Sequence, residues 1–155
     1  MQKTNAARLL DQLGVPYVIR QFPYGEQHID AVQVAKLLAV EPERVFKTIV
    51  CSNTSEELLV FCIPAPSDLD LKKAADAAEA KRVRLIRVGD LERYTGYVRG
   101  GCSPIGMKKH VPTFIEESAQ MFDTILVSAG ERGTQLDISP FDLQISVSAR
   151  FADLV

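Results

Sequence analysis

Apolar residues near the start of the chain recur at helical spacing: Ala6, Leu9, Leu10 and Leu13 follow Thr4, a good N-cap, and precede Gly14, a good stop. The spacing predicts a first helix. Tyr17 to Phe22 is rich in β-formers and ends at Pro23, which reads as a strand. Asp30 can cap a second helix carrying Val32, Ala35, Leu37 and Leu38, after which Pro42 forces a turn. Val45–Cys51 and Leu58–Ile63 are β-rich runs around the polar stretch Ser52–Glu57, the pattern of an antiparallel hairpin with a longer loop. Asp68 or Asp70 can open an Ala-rich helix reaching about Ala80. Val83–Ile86 reads as a short strand and Val88–Tyr94 as a short helix. Further strands are expected around Thr113–Ile115, Thr124–Ser128 and Gln135–Ile138, and Ser139-Pro140 is an N-cap and N1 pair for a last helix.

This order lacks the regular alternation of a doubly wound parallel sheet, and it contains neither repeats nor a Gly/Pro/Ser linker. Pattern alone therefore predicts one α/β domain over residues 1–155, with a mixed, largely antiparallel sheet and helices around it. The 155 residues suffice for one core, and 46% hydrophobic with 25% charged residues is ordinary for a folded globular chain.

Two faces of the Val45–Cys51 strand set up the most informative residue. Period-2 alternation puts Lys47 with Val45, Ile49 and Cys51, and Phe46, Thr48 and Val50 opposite. Both faces are apolar, and lysine is rarely buried without a partner. Either Lys47 snorkels to water from an edge, or it stands at the floor of a cleft to meet a phosphate, a carboxylate or a developing oxyanion.

Two small-residue segments add to this. In Gly100-Gly101-Cys102-Ser103-Pro104-Ile105-Gly106 the glycines allow close approach to backbone, and exposed N–H groups could point into a pocket; an ordinary tight loop fits equally. The spacing is not that of a P-loop. Ser128-Ala129-Gly130 follows an apolar strand, where a ligand or a simple hairpin turn would both be served.

Charge and cysteine usage narrow the partners. A net charge of −2 does not suit a protein that wraps nucleic acid electrostatically, and no DNA partner is expected. Any RNA contact must be local, with candidates at Lys72-Lys73, at Lys81, Arg82, Arg84 and Arg87, and at Lys108-Lys109-His110. No apolar run approaches the roughly 18 residues of a membrane span, and Met1-Gln2-Lys3-Thr4 leads into no signal segment, so no membrane partner and a cytoplasmic location are expected. Cys51, Cys62 and Cys102 are an odd number without Cys-x-x-Cys spacing, which reads as reduced thiols and no zinc site. Cys102, in an expected exposed loop, lacks a histidine tied to it by spacing, since only His28 and His110 exist; a cysteine nucleophile is disfavoured. No metal and no cofactor are expected.

Taken together, Val45-Phe46-Lys47-Thr48, Asp70-Leu71-Lys72-Lys73, the run from Thr95 to Gly106, Val127-Ser128-Ala129-Gly130 and the closing Phe151-Ala152-Asp153 resemble the YbaK family, in order over nearly the whole chain. That family is similar to the editing domain of bacterial prolyl-tRNA synthetases. The resemblance implies a barrel-like sheet and hydrolysis of the ester joining an amino acid to the terminal adenosine of tRNA, most often cysteine on proline tRNA. Cysteine and proline have similar volume, and one pocket separates such pairs by only about 1 to 3 kcal/mol, which makes a second sieve useful. By resemblance, Lys47 matches the essential lysine, and Gly101 with Gly100, Cys102, Ser103 and Pro104 matches the loop that binds the substrate carbonyl. Ser128, Ala129 and Gly130 match the opposite wall. Phe22 stands where several members carry tyrosine. The aminoacyl-tRNA acceptor end and prolyl-tRNA synthetase are the implied partners. Deacylation of alanyl-tRNA, and a non-catalytic tRNA-end or synthetase-binding module, are the alternatives.

Overall fold

The computed structural model describes residues 3–107 and 110–155, so the expected basic pair Lys108-Lys109 lies outside the described residues. Helix α1 (Asn5–Leu13) is capped by the Thr4 hydroxyl, which accepts from Ala7 N–H, and stops at Gly14 in the left-handed conformation. α2 (Ala31–Leu38) opens with a reciprocal capping box between Asp30 and Gln33, and α3 (Leu71–Ala77) is capped by the Asp70 carboxylate. α4 (Leu91–Thr95) follows a short 3-10 turn over Val88–Asp90, and α5 (Pro140–Ser146) begins on the expected Ser139-Pro140 pair.

Among the described residues, eight strands form two sheets. The larger holds β2 (Phe46–Asn53), β3 (Leu58–Pro64), β4 (Val83–Leu85), β5 (Thr113–Glu116) and β8 (Arg150–Ala152) in the order β4-β2-β3-β5-β8. β1 (Val18–Gln21), β6 (Ile125–Ser128) and β7 (Thr134–Ile138) form the smaller, ordered β1-β7-β6. The β2–β3 hairpin is antiparallel as expected, whereas β5 joins β3 in parallel and β8 joins β5 in parallel.

The expected barrel is not what forms. The fold is a mixed α/β arrangement with open sheets: β4 and β8 remain the two edges of the larger sheet, and among the described residues the main chains of the two sheets are bridged only at the parallel pair Val45–Leu126. One bridge cannot carry a ladder around, so the sheets stay separate. The apolar residues explain the layering. Phe46, Val50, Val60 and Cys62 from one face of the larger sheet meet Ile125, Val127, Leu136 and Ile138 of the smaller one, with Ala6 and Leu10 of α1. Cys51, Phe61 and Ile63 on the opposite face pack on Ala74 and Ala75 of α3, with Phe61 and Phe114 stacked at 5.3 Å. The alternation expected for β2 is thus observed, with both faces buried. A third cluster of Phe22, Val34, Ala35, Val45, Ala65 and Leu126 seats α2 beside the junction of the sheets.

Candidate active site

Strand β2 is covered unevenly along its length. β4 pairs only with Cys51–Asn53, so Phe46–Ile49 have β3 on one side and, among the described residues, no strand partner on the other until the bridge at Val45. Val50 gives its carbonyl to Ile86 N–H at 3.2 Å on the β4 side, while the Val45 carbonyl accepts from Ala65 N–H at 2.7 Å on the β3 side. Because main-chain groups alternate in direction along a strand, the N–H and C=O of Thr48 emerge on the unpaired edge.

A cleft of ≈ 390 Å³ opens at this edge. Phe46, Lys47, Thr48 and Ile49 form its floor, Arg99, Gly100 and Cys102 one wall, Ser128 and Gln135 the other, and the segment from His28 to Val34 its rim. Smaller clefts of ≈ 240 and 270 Å³ at the far end of β2, around Arg84, contain neither the lysine nor the glycine loop.

Lys47 is half-buried, and its Nζ donates to the Ala65 carbonyl at 3.1 Å. Among the described residues no carboxylate lies within ion-pair distance of it. One N–H is therefore engaged and the others are available to an incoming oxygen, with the positive charge uncompensated by protein. Lys47 thus lines the cleft from the unpaired edge of β2.

The glycine loop is braced from within. The Tyr97 hydroxyl donates to the Ile105 carbonyl at 2.6 Å, Ser103 Oγ accepts from Ile105 N–H at 3.2 Å, and Gly101 N–H donates to the Val98 carbonyl at 3.0 Å. The Gly101 amide is thus committed inside the loop. Its lack of a side chain serves packing, since a Cβ there would lie 3.2 Å from Glu131 Cα. The Cys102 amide, in contrast, makes no hydrogen bond among the described residues and belongs to a residue lining the cleft. Ser103 is fully buried, and Pro104 lines a separate hollow with Leu9 and Met107.

On the opposite wall, Ser128 reaches the cleft while its Oγ accepts from Gly130 N–H at 3.2 Å. Ala129 is buried in the core. Gly130 has φ +103°, and a Cβ there would meet the Tyr97 ring at 3.0 Å, so it lets the two walls touch. Phe22 belongs to the third core cluster and borders a neighbouring hollow with Tyr24 and Gly133 instead of the Lys47 cleft. The site residues expected from sequence thus divide: Lys47, Gly100, Cys102 and Ser128 meet at the cleft, and Gly101, Ser103, Pro104, Ala129, Gly130 and Phe22 support it.

Cys102 is not in an exposed loop: burial of the loop against α1 and the small sheet leaves it 8% exposed and pushes its thiol pKa up to about 12. Burial does the same to Cys51 and Cys62. Among the polar residues that line the cleft are four the sequence did not assign to the site: Thr48, Gln135, Arg99 and His28. The buried Gln135 Oε1 has no hydrogen-bond partner, and Thr48 Oγ1 has none beyond the weak influence of the Cys62 thiol opposite. Both atoms are themselves shielded from solvent, so they are internal to the cleft wall and not exposed to its interior. Away from the cleft, Glu116, Glu117 and Asp153 converge, but both Glu116 oxygens accept backbone N–H groups, from Ser118 and Leu154, which accounts for its burial.

A half-buried ammonium and an unengaged amide beside an unpaired strand edge suit a polar ligand with a carbonyl. The comparisons agree. The chain matches the aminoacyl-tRNA editing domain family over residues 26–145, and belongs to it. It is an aminoacyl-tRNA editing hydrolase, acting at the tRNA acceptor end. Over 153 residues, 99% of this chain and 93% of the relative, it is 44% identical to EbsC of Enterococcus faecalis, a protein assigned as a Cys-tRNA(Pro)/Cys-tRNA(Cys) deacylase. The fold is shared with a protein assigned as a trans-editing enzyme for prolyl tRNA synthetase (TM-score 0.84, 20% identity, 99% of this chain and 98% of that one). It is shared also with a hypothetical protein (TM-score 0.85, 19% identity, 96% and 97% covered).

Proposed function

We infer that the chain hydrolyses cysteinyl esters on tRNA, with mischarged proline tRNA its principal substrate, in the cytoplasm where tRNA is charged. The observation that carries this reading is the 44% identity over 99% of the chain to the relative assigned as a Cys-tRNA(Pro)/Cys-tRNA(Cys) deacylase, together with a cleft holding the matching lysine and glycine loop. The mechanism asks little covalent chemistry of the protein. Lys47 and the Cys102 amide stabilise negative charge as it develops on the ester carbonyl, while the glycine loop and Ser128 fix its position. Water, or the cysteine substrate's own thiol, attacks that carbonyl and expels the ribose hydroxyl. The cleft wall offers no thiolate for the task, because the one cysteine lining it is held protonated by burial.

Deacylation of cysteinyl, alanyl and prolyl esters on proline tRNA tests the assignment, and cysteine should be released fastest; faster release of alanine overturns the cysteine preference. Selectivity for the tRNA body is a separate matter. With a net charge of −2, the protein alone should bind tRNA with a shallow salt dependence, at about 0.7 to 0.9 in slope per phosphate neutralised. Prolyl-tRNA synthetase is the partner proposed to supply the grip on the tRNA body. The isolated protein should then deacylate cysteinyl esters on several tRNAs at similar rates, with added synthetase biasing it toward proline tRNA. Tight, steeply salt-dependent binding of proline tRNA by the protein alone would refute this division of labour.

A further inference from the structure

Two basic side chains, His28 and Arg99, line the mouth of the cleft, and a third, Arg132, borders the adjoining hollow on the other side of Gly100. Gly100 has φ +86°, and a Cβ there would lie 3.5 Å from Arg132 Nε and 3.7 Å from His28 Nδ1, so the guanidinium and the imidazole converge directly over its main chain. Arg132 is anchored by donating from Nε to the Arg99 carbonyl at 3.2 Å. Its remaining N–H groups, and the whole Arg99 guanidinium, have no hydrogen-bond partner and no carboxylate within ion-pair distance among the described residues. The acidic neighbours are committed elsewhere: Asp30 caps α2, and Glu131 accepts from the Thr134 hydroxyl. His28 feels the arrangement, since desolvation first, and then Arg99 and Arg132, lower its pKa, against an opposing pull from Asp30.

Arg99 and Arg132 both act on His28 and neither has a carboxylate partner among the described residues, so an anion at this rim would meet two guanidiniums free to give it forked, charge-assisted hydrogen bonds. The basic stretch at the other end of β2 is different, because Arg84 lies 3.6 Å from Glu56 and bonds Ser52.

We propose that Arg99 and Arg132, beside His28, form a subsite for the last phosphodiester of the RNA 3′ end, the one that leads into the nucleotide bearing the amino acid. The assignment rests on the deacylase reading for its ligand, and it divides the positive charge of the site. The mouth takes the phosphate, and Lys47 on the floor is left for the ester. Arg99 and Arg132 are positioning residues here, acting on the nucleotide and not on the reacting carbonyl.

The test compares the dinucleotide CpA with the same dinucleotide carrying a neutral methylphosphonate linkage, each titrated into the folded protein and followed by NMR. Wild type should prefer the charged linkage by roughly tenfold to a hundredfold, the range for hydrogen bonds to an ionised group. Arg99→Gln and Arg132→Gln should each cut that ratio severalfold, and the double variant should bring it near one. Arg84→Gln, at the far cleft, should keep it. Arg132→Gln also frees the Arg99 carbonyl, so Arg99→Gln, which removes no existing hydrogen bond, is the cleaner probe. A wild type indifferent to the linkage charge, or a double variant that retains the wild-type ratio, overturns the subsite. Deacylation of cysteinyl-tRNA by the same preparations separates the two readings: an unreactive wild type that still prefers the charged linkage keeps the subsite and sinks the deacylase assignment.

Discussion

Replacing Cys102 by alanine asks directly whether the protein or its substrate supplies the nucleophile. The residue lines the cleft and is the single cysteine in the glycine loop, so a thiolate mechanism would have to use it. Its thiol pKa is about 12, raised by burial. At pH 8 about one molecule in ten thousand would carry the thiolate, against roughly a tenth for an unperturbed cysteine at 9.0, a deficit of about three orders of magnitude in nucleophile. Native protein treated with iodoacetamide at pH 8 and weighed by intact-mass spectrometry should remain unmodified over a time in which the urea-unfolded chain takes up three adducts, one on each of Cys51, Cys62 and Cys102. Cys102→Ala should retain deacylation within a few-fold, because the substitution keeps the amide proposed to meet the oxyanion. Rapid native labelling of Cys102 with parallel loss of activity, or a trapped acyl thioester on it, would refute the mechanism.

Other outcomes follow from the same geometry. Lys47→Ala should lower deacylation by about a hundredfold or more, the scale of one lost transition-state contact, with the melting transition nearly unmoved; turnover at the wild-type rate by the folded variant would remove Lys47 from the mechanism. Asp137 is 7% exposed and holds Arg20 at 2.8 Å and Arg44 at 3.4 Å, so Asp137→Asn, which leaves those guanidiniums without their carboxylate, should cost about 2 to 4 kcal/mol in urea unfolding. Gly130→Ala, at φ +103° against the Tyr97 ring, should cost about 1 to 3 kcal/mol and displace the cleft wall, read as a lower melting temperature with reduced deacylation. The three thiols have folded pKa values raised from 9.0 to about 12, so the unfolded chain sheds those protons first. Their contribution is complete below pH 9 and is lost as pH rises toward 12; unfolding free energy should fall by about 3 kcal/mol between pH 9 and 10, and a triple Cys→Ala variant should lose that slope.

Much of the secondary structure was legible because its signals are local. Thr4, Asp30 and Asp70 each announce a helix by a cap that bonds within four residues, and the β2–β3 hairpin follows from two apolar runs around a polar loop. β8 escaped the reading because three residues carry too little periodicity, and its pairing with β5 is parallel and remote in sequence. The barrel was implied by the family resemblance and not by any strand pattern, and it fails because β1 pairs with β7 instead of extending the larger sheet. At the site, Lys47 and the Gly100–Cys102 loop stood out by their chemistry. Thr48, Gln135, Arg99 and His28 did not, since each is unremarkable where it stands and gains meaning only from the convergence of segments up to a hundred residues apart. The burial of Cys102 depends on packing by other segments in the same way, so its loop reads as exposed from local sequence.

The sheet error and the site are connected. Had the smaller sheet continued along β2, as closure would require, the Thr48 main chain would be paired and the space above Lys47 filled by a strand. Pairing stops at Val45–Leu126 on one side and begins again at Cys51–Leu85 on the other. The interruption leaves a peptide edge beside a half-buried ammonium, and the loop carrying Gly100 and the turn carrying Ser128 flank it without closing it. An ester carbonyl with its α-substituents is chemically close to the peptide group a further strand would have brought, so an unfinished sheet edge is suited to hold it. It follows that substitutions extending the pairing across Phe46–Ile49 should stabilise the protein while abolishing deacylation, a separation that loss of a single catalytic side chain would not produce.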